Sequence, residues 1–108
     1  MENEILKKKS NEEANKEFSE DGVPLLRVGS RTPVKPLAGA ITATIKEYGC
    51  VQLRAIGDGA IGRAVRASII SRGHLITAGI DLIVIPSFFV TEISGSDKTG
   101  VTIMLENR

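Results

Sequence analysis

The spacing of apolar residues changes repeatedly between residues 24 and 108, and this pattern constrains the fold more than any other feature. In some segments apolar residues alternate with polar ones, which is typical of a half-buried strand. In two others they recur every three or four residues, which is typical of an amphipathic helix. Glycine or proline stands near each change. The pattern predicts the order β-α-β-α-β-β in one α+β domain.

The first half of this region predicts a strand, a helix and a second strand. The apolar run Leu25–Gly29 indicates a strand, and Pro36 suits the first turn of a helix because proline lacks only a donor that is unpaired there anyway. Gly49 is a typical helix end, and Cys50–Ile56 alternates as a strand. The helix is predicted to bury one stripe: Leu37, Ile41, Ile45 and Tyr48.

The second half predicts another helix and two strands. After a turn at 57–59, the helix is expected to bury Ile61, Val65 and Ile69 and to stop at Gly73. Leu82–Ile85 is expected to be a buried strand, which then bulges, bends or runs along an edge at Pro86. Residues 95–100 are predicted to form a hairpin loop. Alternation of Val101, Ile103 and Leu105 with polar residues indicates the last strand.

These elements predict two helices on one face of a four-stranded mixed sheet. The other face stays open, and the alternation places polar side chains on it: Arg27, Gln52, Arg54, Thr102 and Glu106. Glu106 is expected to pair there with an arginine of a neighbouring strand. No aromatic residue is expected on this open face, so that a sheet that stacks bases is not predicted.

Residues 1–23 form an acidic extension, and residues 24–108 form the predicted domain. The extension carries four lysines and seven carboxylates, for a net charge of −3, whereas the domain carries ten basic and six acidic residues, for +4. With few large apolar residues, the extension is expected to be disordered or transiently helical. Two interpretations of its function stay open: a solvated extension, or a mask over a basic surface.

Three blocks of the domain resemble a known family. LLRVGSRTPVKPLAGAI, VQLRAIGDGAIGRAVRA and RGHLITAGIDLIVIPSF, in this order, resemble the stage V sporulation protein S family of bacteria, from about Leu25 to Arg108. The resemblance implies an Alba-like fold, a homodimer that binds DNA or RNA, and a role in sporulation or developmental gene regulation.

The resemblance also implies which residues contact nucleic acid. In Alba-like proteins the contacts come from the first strand–helix loop, the second strand–helix junction and the arm of the last hairpin. The hairpin contributes a single lysine beside Asp97, which departs from a strongly basic arm. The residues carried over onto this sequence are Arg31, Lys35, Gly57, Gly59, Arg63, Arg66 and Lys98.

Residues 57–62 also spell GxGxxG between a strand and a helix, and three interpretations of this segment stay open. It can bind a dinucleotide, although it follows the second strand and Asp81 opens the next strand rather than ending it. Its glycines can serve a tight turn and close packing. Its helix start can bind a phosphate, because unpaired N–H groups and a partial positive charge attract anions.

Composition excludes several other classes. A single cysteine, Cys50, and a single histidine, His74, leave no disulfide and no zinc ligand set. No catalytic motif, cofactor, metal or small-molecule substrate is expected, so we predict that the chain is not an enzyme. Without an apolar run of about 18 residues, no membrane association is expected, and the predicted location is the cytoplasm, including the nucleoid.

The sequence therefore predicts a nucleic-acid-binding regulatory protein that acts mainly through phosphate contacts. The alternative is a non-enzymatic protein-interaction module with the same fold and dimer surface.

Overall fold

The structure, a computed structural model, describes residues 17–108. The strands are β1 (Glu17–Phe18), β2 (Pro24–Val28), β3 (Cys50–Ala55), β4 (Leu82–Ile93) and β5 (Ser96–Asn107), and the helices are α1 (Val34–Tyr48) and α2 (Asp58–Ile76). They form one five-stranded sheet in the order β1-β2-β3-β5-β4. β2 and β3 are parallel, and the other neighbouring strands are antiparallel. The predicted α+β order is confirmed from β2 onward.

The sheet has five strands rather than the predicted four, because the end of the acidic extension pairs with the domain. Glu17 lies opposite Leu25 in an antiparallel pair. The Phe18 ring meets the Tyr48 ring edge to face, with centroids 5.7 Å apart. This contact and the tight turn at residues 19–22 fix the position of residues 17–23. Composition alone assigned these residues to the acidic extension. The prediction of disorder for residues 1–16 lies outside the described residues.

Helix α1 has the predicted core face and end. Leu37, Ile41 and Ile45 are buried, whereas Tyr48 is exposed and reaches Phe18. Gly49 has a φ of 83°, and its N–H donates to the carbonyl of Ile45 at 2.8 Å. A left-handed residue here suits glycine, so the helix ends where the sequence predicted.

The predicted core face of α2 is wrong. Val65 and Ile69 are 43% and 64% exposed, and Ile61 is only partly buried. The face that packs inward consists of small residues with one leucine: Ala60, Ala64, Ala67, Ser68, Ser71 and Leu75. Small side chains let the helix lie close to α1 and the sheet, so the larger branched residues take the outer face.

Helix α2 also continues past Gly73, where the sequence predicted its end. It runs to Ile76, and the left-handed turn occurs later, at Gly79, with a φ of 79°. Gly73 is not among the glycines with a positive φ, so it stays within the helix.

Strand β4 is an edge strand rather than a buried one. Leu82 is buried, but Val84 and Ile85 are nearly half exposed. Pro86 pairs in register with Ile103 without a bulge, because an edge strand tolerates a residue that lacks an N–H donor. Of the three outcomes considered for this proline, the edge position is the one observed.

The β4–β5 connection is a two-residue turn, not the predicted loop at 95–100. Ser94 and Gly95 both have a positive φ, 52° and 79°, as a type I′ turn requires. Residues 96–100 therefore belong to β5, where Lys98 lies opposite Thr91.

At Gly100 the Phe89 ring lies close against the backbone of β5. A Cβ atom at this position would lie 2.5 Å from the Phe89 ring and 2.9 Å from the Ala55 carbonyl oxygen. The Phe89 ring thus fills the space that a side chain at position 100 would need.

We predict that Gly100→Ala lowers the free energy of unfolding by about 1–3 kcal/mol, because the added methyl group overpacks this contact. The matched control is Gly73→Ala, whose Cβ meets nothing within 4 Å and should add about 0.5–1 kcal/mol through helix propensity. Urea unfolding at one protein concentration measures both. Equal stability of the two variants would contradict the prediction.

Candidate nucleic-acid interface

Two loops meet at one edge of the sheet because β2 and β3 are parallel. The strands end side by side at Val28 and Ala55, so the β2–α1 loop and the start of α2 emerge together. Gly57 has a φ of 91°, a conformation that favours glycine. A Cβ added at Gly59 would lie 3.6 Å from the Ser30 Cβ. The two glycines therefore serve the turn and the close approach of the loops.

Arg63 ties these loops together. Its Nε donates to the Ser30 carbonyl at 2.7 Å, and its Nη1 donates to the Thr32 carbonyl at 3.1 Å. The Thr32 Oγ1 in turn accepts from the Gly29 N–H at 2.8 Å. Arg63 thus uses two of its donors inside the protein, and these bonds fix the shape of the β2–α1 loop.

Lys35 and Arg66 lie on opposite elements of one shallow groove. The groove has a volume of about 430 Å³ and an apolar floor formed by Val34, Ile69 and Ile70. Ile70 lines the groove with Arg66 and also packs against the core. Within residues 17–108, neither cation has a carboxylate partner.

Arg31 lies exposed in the β2–α1 loop and, like Lys35 and Arg66, has no ion pair within the described residues. At the nearby start of α2, no side chain caps the first N–H groups. These groups and the helix dipole favour an anion, although Asp58 in the first turn already supplies some negative charge. The edge combines fixed backbone donors with free side-chain cations.

The β4–β5 hairpin projects beyond the same edge. Val101 lies opposite Ala55, the last residue of β3, so residues 96–100 extend past the end of that strand. Lys98 is three residues farther on, roughly 10 Å at about 3.3 Å per residue. It stands beside Asp97 and across from Thr91, so the hairpin adds one cation with an acidic neighbour.

The open face of the sheet differs from the prediction in two ways. Arg27 pairs with Glu17 of the extension, at 3.0 Å, and not with Glu106, which lies opposite Cys50 and Ile83. The face also carries an aromatic residue, Phe89, whose ring centroid lies 5.5 Å from the Arg54 guanidinium.

The β2–α1 loop, residues 29–33, and the start of α2 together form the loop edge. The described carboxylates of the extension do not cover this edge. Glu17, Glu20 and Asp21 line a pocket on the open face of the sheet together with Arg27 and Arg54. The proposed mask over a basic surface would therefore have to come from residues 1–16, which lie outside the described residues.

The described residues do not assemble a metal site. Among residues 17–108, no three His, Cys, Asp or Glu side chains cluster in a way that could hold a metal ion. Cys50 is a half-buried free thiol at the start of β3, and His74 lies exposed in the last turn of α2. No helix of the described chain is long and apolar enough to cross a membrane.

The fold is Alba-like. The structure is similar to that of Alba from Thermoplasma volcanium, with a TM-score of 0.53 and 17% sequence identity over 77% of this chain and 99% of that chain. The profile of the family described as Stage V sporulation protein S (SpoVS) matches residues 24–108. The chain belongs to this family.

We predict that Arg63→Ala lowers the free energy of unfolding by about 1–3 kcal/mol, because two carbonyls lose a charged donor. Arg66→Ala should change it by less than about 0.5 kcal/mol, as surface substitutions usually do. Urea denaturation compares the two variants, which remove the same side chain one turn apart. If both variants unfold at the same urea concentration, the hydrogen bonds of Arg63 do not stabilise the β2–α1 loop.

Proposed function

We propose that this protein binds nucleic acid through phosphate contacts and acts in sporulation or developmental gene regulation. The observation that carries the proposal is that Arg31, Lys35 and Arg66 have no ion pair within residues 17–108 and lie on the loop and helices that Arg63 ties together. Lys35 and Arg66 line one groove there. Membership in the stage V sporulation protein S family supports the developmental role. The protein performs no catalytic step in this proposal.

The charge distribution favours contacts with the phosphate backbone rather than with bases. Each cation that neutralises a duplex phosphate releases counterions, so the affinity falls with salt by about 0.9 log unit per log unit of salt. Phosphate contacts carry no direct sequence information. A domain with a net charge of only +4 is therefore expected to bind modestly, with a weak sequence preference and a steep salt dependence.

The glycine segment contributes geometry rather than a cofactor site. A dinucleotide fold needs an acidic residue at the end of the next parallel strand to bind a ribose. The candidate, Asp81, precedes antiparallel β4 and accepts from Arg72 at 2.9 Å and from Arg108 at 2.8 Å. Gly57 and Gly59 instead let the loop edge present its N–H groups close to a phosphate.

A homodimer is the second part of the proposal, and exposed apolar residues support it. One series lies on the outer face of α2 and another on β4: Val65, Ile76, Val84, Phe88 and Val90. Phe88 is 80% exposed, and large apolar patches on a soluble protein usually mark an interaction surface. A second copy that covers this surface would also double the cations available to a polyanion.

The main prediction concerns affinity for duplex DNA and RNA. Changing Arg31, Lys35 and Arg66 together to Gln should weaken binding by at least tenfold at low salt. Each lost duplex contact should also reduce the slope of log affinity against log salt by about 0.9. Fluorescence anisotropy with labelled DNA and RNA over a salt series measures both quantities.

The single changes Arg31→Gln, Lys35→Gln and Arg66→Gln share one matched control, Lys46→Gln. Lys46 lies in the last turn of α1, at the end of the helix remote from the loop edge. Its substitution removes one positive charge, as each of the three interface substitutions does. It should leave both affinity and salt slope nearly unchanged. If Lys46→Gln weakens binding as much as Lys35→Gln does, net charge rather than this edge determines affinity. Absence of any binding at low salt would favour the protein-interaction module.

The dimer generates its own prediction. Val65→Glu and Phe88→Glu each place a charge in the exposed apolar surface, and each should convert a dimer into a monomer of half the mass. Thr91→Glu, on the same strand as Phe88, is the control that should stay dimeric. Sedimentation equilibrium measures the masses, and a wild-type monomer at high micromolar concentration would contradict the dimer.

A further inference from the structure

A second concave site lies on the face of the sheet opposite the helices. It has a volume of about 520 Å³ and is lined by side chains from β2, β3, β4 and β5, with one wall formed by residues 17–21. This volume lies within the range of small-molecule sites. The site shares no residue with the groove of Lys35 and Arg66, so the inference does not depend on nucleic-acid binding.

One row of side chains crosses its floor. Arg27 is in register with Arg54, Arg54 with Thr102, and Thr102 with Ser87. Two arginines thus stand on adjacent strands, about 4.8 Å apart along the row. Like charges in directly opposed positions destabilise a sheet, so this pair needs negative charge nearby.

The protein supplies an anion to only one of the two arginines. Arg27 binds Glu17 through its Nε alone, at 3.0 and 3.1 Å from the two carboxylate oxygens, so its terminal nitrogens remain available. Arg54 has no carboxylate partner within residues 17–108. Its Nε is buried without a hydrogen-bond acceptor, an arrangement that native proteins usually avoid.

Aromatic packing holds Arg54 in this position. The Phe89 ring supports the guanidinium from one side, at 5.5 Å, and that ring in turn occupies the space above Gly100. Contact with an aromatic face restricts the guanidinium while leaving its terminal nitrogens free to bind a planar anion. The arginine is thereby oriented before any ligand is present.

The opposite wall limits the charge of the occupant. Glu20 and Asp21 line the same pocket and would repel a polyanion such as a nucleic-acid strand. They can instead accept hydrogen bonds from hydroxyl or amino groups. The surrounding Gln52, Ser87 and Thr102 add neutral polar contacts.

We propose that this pocket binds a small organic oxyanion, a phosphate monoester or a carboxylate, whose other end carries hydroxyl or amino groups. The oxyanion binds Arg54 and the free nitrogens of Arg27, because guanidinium groups form charge-assisted, bidentate hydrogen bonds with both kinds of anion. The donor end faces Glu20 and Asp21.

Titration of the full-length ¹⁵N-labelled protein at constant ionic strength tests this proposal. The probes are glycerol 3-phosphate, glycerate and glycerol, which share hydroxyl groups and differ in the anion. Saturable shifts of the Arg54 Nε–H resonance and of the Thr102 amide with an anionic probe are the expected result. The stronger of the two anions identifies phosphate or carboxylate as the preferred group. No saturable shift with either anion, or equal shifts with glycerol, would overturn the proposal.

Two variants locate the site. Arg54→Gln should weaken binding of the anionic probe at least tenfold, and Thr102→Glu should do the same by placing a carboxylate beside Arg54. The second variant keeps the test decisive if the first fails to fold. Arg66→Gln, at the loop edge, should bind the probe as the wild type does. Unchanged probe affinity in a folded Arg54→Gln or Thr102→Glu protein would refute the assignment, whatever the result of the nucleic-acid experiments.

Discussion

Close packing of α2 through small side chains is the constraint on which the rest of the structure depends. Alanine and serine at the inner face bring the helix near to α1 and the sheet, and that proximity places its first turn against the β2–α1 loop. Arg63 can then reach two carbonyls of the loop. The same packing turns Val65 and Ile69 outward. The small size of the residues on the inner face of α2 therefore determines both the position of the loop edge and the composition of the exposed apolar surface.

The order of elements was predictable because strand and helix periods are local properties of the sequence. The inner face of α2 was not, because two stripes of that helix are compatible with helical spacing, one of small residues and one of branched residues such as Val65. Residue hydrophobicity favours the branched stripe, whereas the space left by α1 and the sheet admits only the small one. Strand β1 was missed because two residues are too few to show a period.

The candidate site was predictable in part. The resemblance indicated the loops, and the parallel pairing of β2 and β3 brings them together. The role of Arg63 was hidden because its acceptors, the carbonyls of Ser30 and Thr32, are backbone atoms that every residue possesses. The partner of Arg27 was hidden for a related reason. It is Glu17, on a strand whose pairing the sequence does not reveal, and strand register placed Glu106 out of reach.

The wall of the open-face pocket comes from residues 17–21, just ahead of the region that matches the family, 24–108. The floor, by contrast, belongs to strands inside that region. Without residues 17–21, the same arginine row would stand on an open face that lacks this wall. Exchange of this short segment would therefore reshape the pocket while leaving the buried core and the Arg63 contacts unchanged.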